Sequence, residues 1–131
     1  MPNDRRQIEQ LAREYTGAWC SRDPSRVAAH YCTGGTIAIN GGEPTPIASV
    51  AESFVAAFPD IEVFMEDLVV IDDVVEYHWT FTGTSSETGR FVRIPGFEEW
   101  TIGPDGLIAE SRGHFDQTEY DRQLREGAPA A

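Results

Sequence analysis

The chain has 131 residues, a formal charge of -12 and ten cationic side chains, all arginine and none of them in a run. That length fits one domain, and that charge repels phosphate backbones and anionic lipid, so neither nucleic acid nor a membrane surface is an expected partner. No apolar stretch approaches a membrane span and no cleavable leader is recognisable, so a cytoplasmic location is expected. Cys20 and Cys32 are read as reduced, half-buried thiols rather than a disulfide framework.

Asp4 with Gln7 resembles a capping pair, and Ile8, Leu11, Tyr15, Ala18 and Trp19 recur at three- and four-residue steps, which predicts a first helix with one buried face. Asp23-Pro24 is an N-cap signal; Val27, Ala28 and Tyr31 then predict a short second helix ended by Gly34-Gly35. Thr36 to Ile39 reads as a short strand. Thr45-Pro46 repeats the cap-then-proline signal, and Ile47, Val50, Phe54 and Phe58 form the stripe of a third helix that Pro59 stops.

Beyond Pro59 the texture becomes β-branched and aromatic, in runs separated by turn residues. Ile61–Ile71, Val74–Thr84, Phe91–Ile102 and Leu107–Phe115 are expected to form consecutive antiparallel hairpins, followed by a short helix through Leu124. Residues 1–126 are read as a single domain and 127–131 as a frayed tail. Helices first and a meander afterwards predict an α+β fold, in which a twisted sheet wrapped on a helix leaves a cone with an open mouth.

On the last strand Arg112, His114 and Asp116 project to one side, while Ala109, Ser111, Gly113 and Phe115 project to the other. If the first set faces the cone, Asp116 is the candidate acid or base, with Arg112 and His114 as catalytic partners that set its pKa and hold an oxygen. The other reading of the same pattern is an exposed charge ladder. Tyr15, Trp19, His78 and Trp100 are the candidates for binding substrate, Tyr15 through its hydroxyl. The histidines, His30, His78 and His114, have no close ligand spacing, and no phosphate loop, dinucleotide fingerprint or nucleophile elbow is present. No metal and no cofactor are therefore expected. Val75, Tyr77, Trp79 and Phe81 form an apolar row which, if no helix covers it, a homodimer should bury.

Four passages resemble the SnoaL-like branch of the nuclear transport factor 2-like superfamily: Phe58-Pro59-Asp60, Val75 through Thr84, Thr88-Gly89-Arg90 through Ile94-Pro95-Gly96, and Asp105-Gly106-Leu107-Ile108 through Asp116 with Gln123-Leu124 beyond. The likeness spans nearly the whole chain. It implies a cone-shaped nuclear transport factor 2-like (cystatin-like) fold, N-terminal helices packed on a curved, mainly antiparallel sheet, and a pocket for a small hydrophobic ligand. The superfamily includes polyketide cyclases, ketosteroid isomerases, epoxide hydrolases, dehydratases and pockets without known chemistry, so the fold does not choose among them.

In the cyclases, the position matching Asp116 serves as acid/base in an aldol closure. Tyr15 matches the oxyanion-binding tyrosine of the isomerases. Their base has no counterpart: no carboxylate lies around Ile37-Ala38-Ile39-Asn40, and Asn40 takes no proton at neutral pH. Gly83-Thr84 also runs into Ser85-Ser86-Glu87, which shortens the loop that usually follows. Arg112 and Asp116 echo part of the epoxide hydrolases' Asp-Arg-Asp set. The expected function is thus a small-molecule pocket with cofactor-independent acid/base chemistry on a carbonyl compound, the alternative being a non-catalytic binding or dimeric assembly module.

Overall fold

The computed structural model describes residues 5–72 and 74–128. Asp4 of the expected capping pair and residues 129–131 of the expected tail lie outside them. The first helix, α1 (Arg5–Cys20), buries Ile8, Leu11, Ala12, Tyr15, Ala18 and Trp19, the stripe that its sequence period dictates. α2 (Pro24–Ala28) starts at Asp23, whose carboxylate accepts the Ser25 amide.

α2 is shorter than its sequence predicts, because Tyr31 does not continue the helical face. It opens β1 (Tyr31–Ile39) and pairs with Ile108 on the last strand. Gly34, at φ 77°, lies within the register shift between Tyr31 and Thr36, a conformation glycine adopts without a steric penalty. Thr45–Pro46 form the two-residue strand β2, and Pro46 rather than Thr45 stands at the N-cap of α3 (Ile47–Ala57), without a side-chain bond.

The four later strands fall where they were expected: β3 (Glu62–Ile71), β4 (Val74–Thr84), β5 (Phe91–Ile102) and β6 (Ile108–Phe115), followed by α4 (Gln117–Glu126). They do not stand alone. One open, six-stranded sheet runs β2-β1-β6-β5-β4-β3, in which β1 lies parallel to β6 and the other neighbours are antiparallel. The helices cover one face of it, the inner face. The row Val75, Tyr77 and Phe81 is buried there, with Trp79 packed against the same core. The reason for a dimer given by an uncovered row therefore falls away, since the helices bury it.

The core is aromatic at its centre. Tyr77 stacks on Trp100 with centroids 4.9 Å apart, and Tyr15 meets Trp100 edge-on at 5.4 Å, contacts worth roughly 0.5–1.5 kcal/mol each beyond the area they bury. At one end Tyr120 of α4 packs against Phe58, Phe81 and Phe115. Buried Gln123 accepts the Arg93 amide at 2.7 Å, tying α4 to β5. Among the described residues no helix is long and apolar enough to cross a membrane.

Candidate functional site

Strand register decides which side chains meet inside. Trp79 lies opposite Gly96, Tyr77 opposite Glu98 and Val75 opposite Trp100, while Glu98 lies opposite Gly113 and Trp100 opposite Ser111. Directly opposed residues share a face, so Glu98 projects inward, level with Tyr77 and Gly113. α1 and α3 close over this face with Trp19, Val50 and Phe54. Between them and the sheet lies a cavity of about 50 Å³ whose other walls include Ile37, Ile39, Trp79, Phe81 and Phe115. Glu98 is the one carboxyl-bearing residue among its lining residues.

Glu98 is 6% exposed and is met by neutral donors. Its Oε1 accepts from Ser111 Oγ at 2.8 Å, Trp100 Nε1 at 2.9 Å and the Tyr15 hydroxyl at 3.1 Å. The Tyr15 hydroxyl lies 3.3 Å from Oε2 and also 3.0 Å from the Tyr31 hydroxyl. Oε1 thus has three close donors, and the Tyr15 hydroxyl reaches Oε2 as well. Burial, the larger influence, raises the Glu98 carboxyl above its ordinary pKa, and hydrogen bonds from Trp100, Ser111, Tyr15 and Tyr31 offset part of that rise. The same burial, with the Glu98 charge nearby, holds the Tyr15 and Tyr31 phenols well above 10.0.

A carboxyl with a raised folded pKa binds its proton more tightly in the native state, so its contribution to stability is complete below the unfolded pKa and is lost as pH rises through the folded one. Stability should therefore fall as pH climbs above about 4.3, the ordinary glutamate value, and Glu98→Gln should flatten that slope. Glu119 acts in the opposite sense, since Arg122 and Gln123 pull its carboxyl down to about 2 and its contribution is lost only in acid. Urea melts of wild type and Glu98→Gln across pH 4 to about 8, read as a difference, separate the two. Parallel curves would contradict the assignment.

The catalytic residues expected from sequence lie elsewhere. Strand alternation held, but Arg112 and His114 take the outer face and Ser111, Gly113 and Phe115 the inner. Arg112 is opposite Glu99 and His114 opposite Phe97. His114 Nε2 lies 2.9 Å from Glu99 Oε1, with Arg112 Nε 3.9 Å from the same oxygen. This is the charge ladder of the second reading, beside an outer groove of about 330 Å³ that also takes in the Gly41-Gly42 turn. His78 is on the outer face too: it bonds Glu76 at 3.1 Å and stacks on Phe97, which His114 covers from the other side.

Asp116 faces neither cavity nor groove. It N-caps α4, its Oδ1 accepting the Glu119 amide at 3.1 Å. Asp116→Ala should cost about 1 kcal/mol of stability and Asp116→Asn almost nothing, because asparagine caps as well as aspartate; chemical denaturation of the two variants tests the pair.

Of the expected binding residues, Trp19 lines the cavity, and Tyr15 and Trp100 reach its floor through Glu98. Glu98 itself was missed. Its sequence signal is its two-residue step from Trp100 on a strand whose inward positions are otherwise Val92, Ile94, Gly96 and Ile102. Among the described residues no group of three or more histidine, cysteine, aspartate or glutamate side chains is placed to hold a metal. Cys20 and Cys32 are free and half-buried.

No curated protein matches the chain by sequence. Solved structures match its fold. TsrD from Streptomyces laurentii superposes with a TM-score of 0.80 at 22% identity, over 92% of this chain and 96% of that one. The epoxide hydrolase/cyclase-like enzyme SalBIII, described in pyran ring formation of salinomycin, gives 0.78 at 17% over 91% and 97%. A protein of ketosteroid isomerase-like fold from Catenulispora acidiphila, solved with trimethylamine, gives 0.78 at 12% over 88% and 92%. These neighbours share the α+β cone. The SnoaL-like domain model matches residues 12–111, and with the fold in agreement the chain belongs to the SnoaL-like family.

Proposed function

We propose that this protein binds a compact, mainly apolar carbonyl compound inside the cone and that Glu98 exchanges a proton with it, without a cofactor. The observation that carries the reading is a buried carboxyl in the lining of an otherwise apolar cavity, held by neutral donors gathered mainly on Oε1. A carboxylate in a dry site that raises its proton affinity is suited to removing a weakly acidic proton. The neutral donors hold the carboxyl in one orientation and accommodate its negative form.

In this chemistry the Glu98 carboxylate takes a proton from the carbon beside the carbonyl, the electron pair moves onto the carbonyl oxygen as an enolate, and the proton returns from Glu98 to carbon. The epoxide hydrolase/cyclase-like neighbour SalBIII supports small-molecule chemistry on this fold, and SnoaL-like pockets take small hydrophobic ligands. A cavity of about 50 Å³, far below the 300–1,000 Å³ typical of drug-sized ligands, favours a compact substrate over a fused-ring one.

Hydrogen–deuterium exchange of cyclopentanone in D₂O, followed by NMR, tests this. Wild type should accelerate the exchange at the carbons beside the carbonyl, and Glu98→Gln should bind the ketone yet exchange it at the background rate. Exchange that persists in Glu98→Gln would remove Glu98 from the chemistry. Saturable binding with no exchange in wild type would leave the non-catalytic binding module as the function.

A further inference from the structure

The chemistry proposed for Glu98 develops negative charge on the carbonyl oxygen, and a donor must meet it. The nearest donors are engaged. Trp100 Nε1 and Ser111 Oγ donate to Glu98, and the Tyr15 hydroxyl is shared between Glu98 and Tyr31. The Tyr77 hydroxyl bonds Thr16, whose own proton goes to the Ala12 carbonyl at 2.8 Å.

One donor is not engaged. Among the described residues the indole Nε1 of Trp79 is the buried side-chain polar atom that has no hydrogen-bond partner. Buried donors are nearly always satisfied, so an orphan N–H calls for an explanation, and an acceptor supplied by a ligand is one. Trp79 lines the cavity. It pairs with Gly96 across the ladder while Tyr77, two residues before it on the same face, pairs with Glu98, so Trp79 and Glu98 are diagonal neighbours on the inner face, within reach of one small molecule. Unlike Tyr77 and Trp100, Trp79 is only half-buried.

Resting on the reading of Glu98 above, we infer that Trp79 is a substrate-binding residue whose Nε1–H bonds the carbonyl oxygen of the ligand while Glu98 meets the adjacent carbon. The site then selects compact ketones or esters, molecules with an acceptor oxygen next to an acidic C–H, over hydrocarbons of the same shape.

The test compares cyclopentanone with methylenecyclopentane, its acceptor-free isostere, on wild type and Trp79→Phe. The ketone should bind about tenfold more weakly to Trp79→Phe, the loss expected for one hydrogen bond, and the hydrocarbon should bind the two proteins alike. In wild type, the ¹H–¹⁵N indole signal of Trp79 should move downfield with the ketone and not with the hydrocarbon, a readout that needs no variant to fold. An indole signal indifferent to the ketone, or equal losses for both probes, would overturn the role of Trp79. If exchange of the ketone then still depends on Glu98, the proposed function stands without it; if neither probe binds wild type, both fall.

Discussion

Glu98→Ala should lower the unfolding free energy by about 3–5 kcal/mol, since each buried donor left without its acceptor costs about 1–3 kcal/mol. The carboxyl is the common acceptor of Trp100, Ser111 and Tyr15. Truncation leaves the Trp100 N–H and the Ser111 hydroxyl facing a dry core. Tyr15 loses less, because the Tyr31 hydroxyl is 3.0 Å away and offers an alternative acceptor.

Glu98→Gln keeps the shape and one acceptor oxygen, and its amide can donate to a hydroxyl that turns round, so its cost should be about 1–2 kcal/mol. Against a typical domain stability of roughly 5–15 kcal/mol, the alanine variant verges on unfolding and the glutamine variant does not. Urea denaturation at neutral pH measures both. Equal losses would mean that shape and volume, rather than the oxygens, make Glu98 important. This ordering also makes Glu98→Gln the right variant for the exchange experiment, since a folded protein that cannot carry the proton separates chemistry from packing.

How far the sequence foretold this site depends on the kind of information each residue carries. α1 was legible because its period is local: Ile8, Leu11, Tyr15 and Trp19 repeat at helical steps whatever they pack against. The alternation of β6 was equally legible, yet its facing was not. Ser111 and Gly113 are no more apolar than their outer neighbours Arg112 and His114 are forbidden from an active site. What turns the small residues inward is the parallel pairing with β1, which brings Ile37 beside Ser111 and Ile39 beside Gly113, a contact between segments some seventy residues apart.

The same long-range pairing drew Tyr31 out of a helix and into a strand. The register shift between Thr101 and Ile102 brings Ile108 opposite Ile102 and buries Ile108, although simple alternation assigns it to the side of Glu110. Glu98 was hidden for a different reason. Beside Glu99 it looks like half of a solvated acidic pair, and only its phase with Trp100 on β5 separates the two. Tyr15, by contrast, was singled out by helix position, and its hydroxyl does reach the interior.

Gly96→Ala should be the most damaging of the single-methyl additions on the inner face. A Cβ built there would lie 2.5 Å from the His114 carbonyl oxygen and 2.6 and 2.7 Å from ring carbons of Trp79. The carbonyl belongs to the paired strand, where Gly96 is registered with Phe115, so retreat of the backbone disturbs the β5–β6 ladder. We expect a loss of about 3 kcal/mol, the upper part of the usual range for overpacking. At Gly113 the nearest atom is the Ile39 Cδ1 at 3.2 Å, the free end of a flexible side chain, and Gly113→Ala should cost under about 1 kcal/mol.

A double-mutant cycle divides the Gly96 penalty between its two causes. The ring carbons in conflict are those of the six-membered half of the indole, which phenylalanine does not place there. In a Trp79→Phe background, Gly96→Ala should therefore cost less by about 1 kcal/mol or more, the scale of coupling between touching residues, while the part due to the His114 carbonyl remains. Additive losses would show that the backbone alone requires glycine. A measured coupling would show instead that Gly96 is bare so that the Trp79 indole can lie against β5, one diagonal step from Glu98.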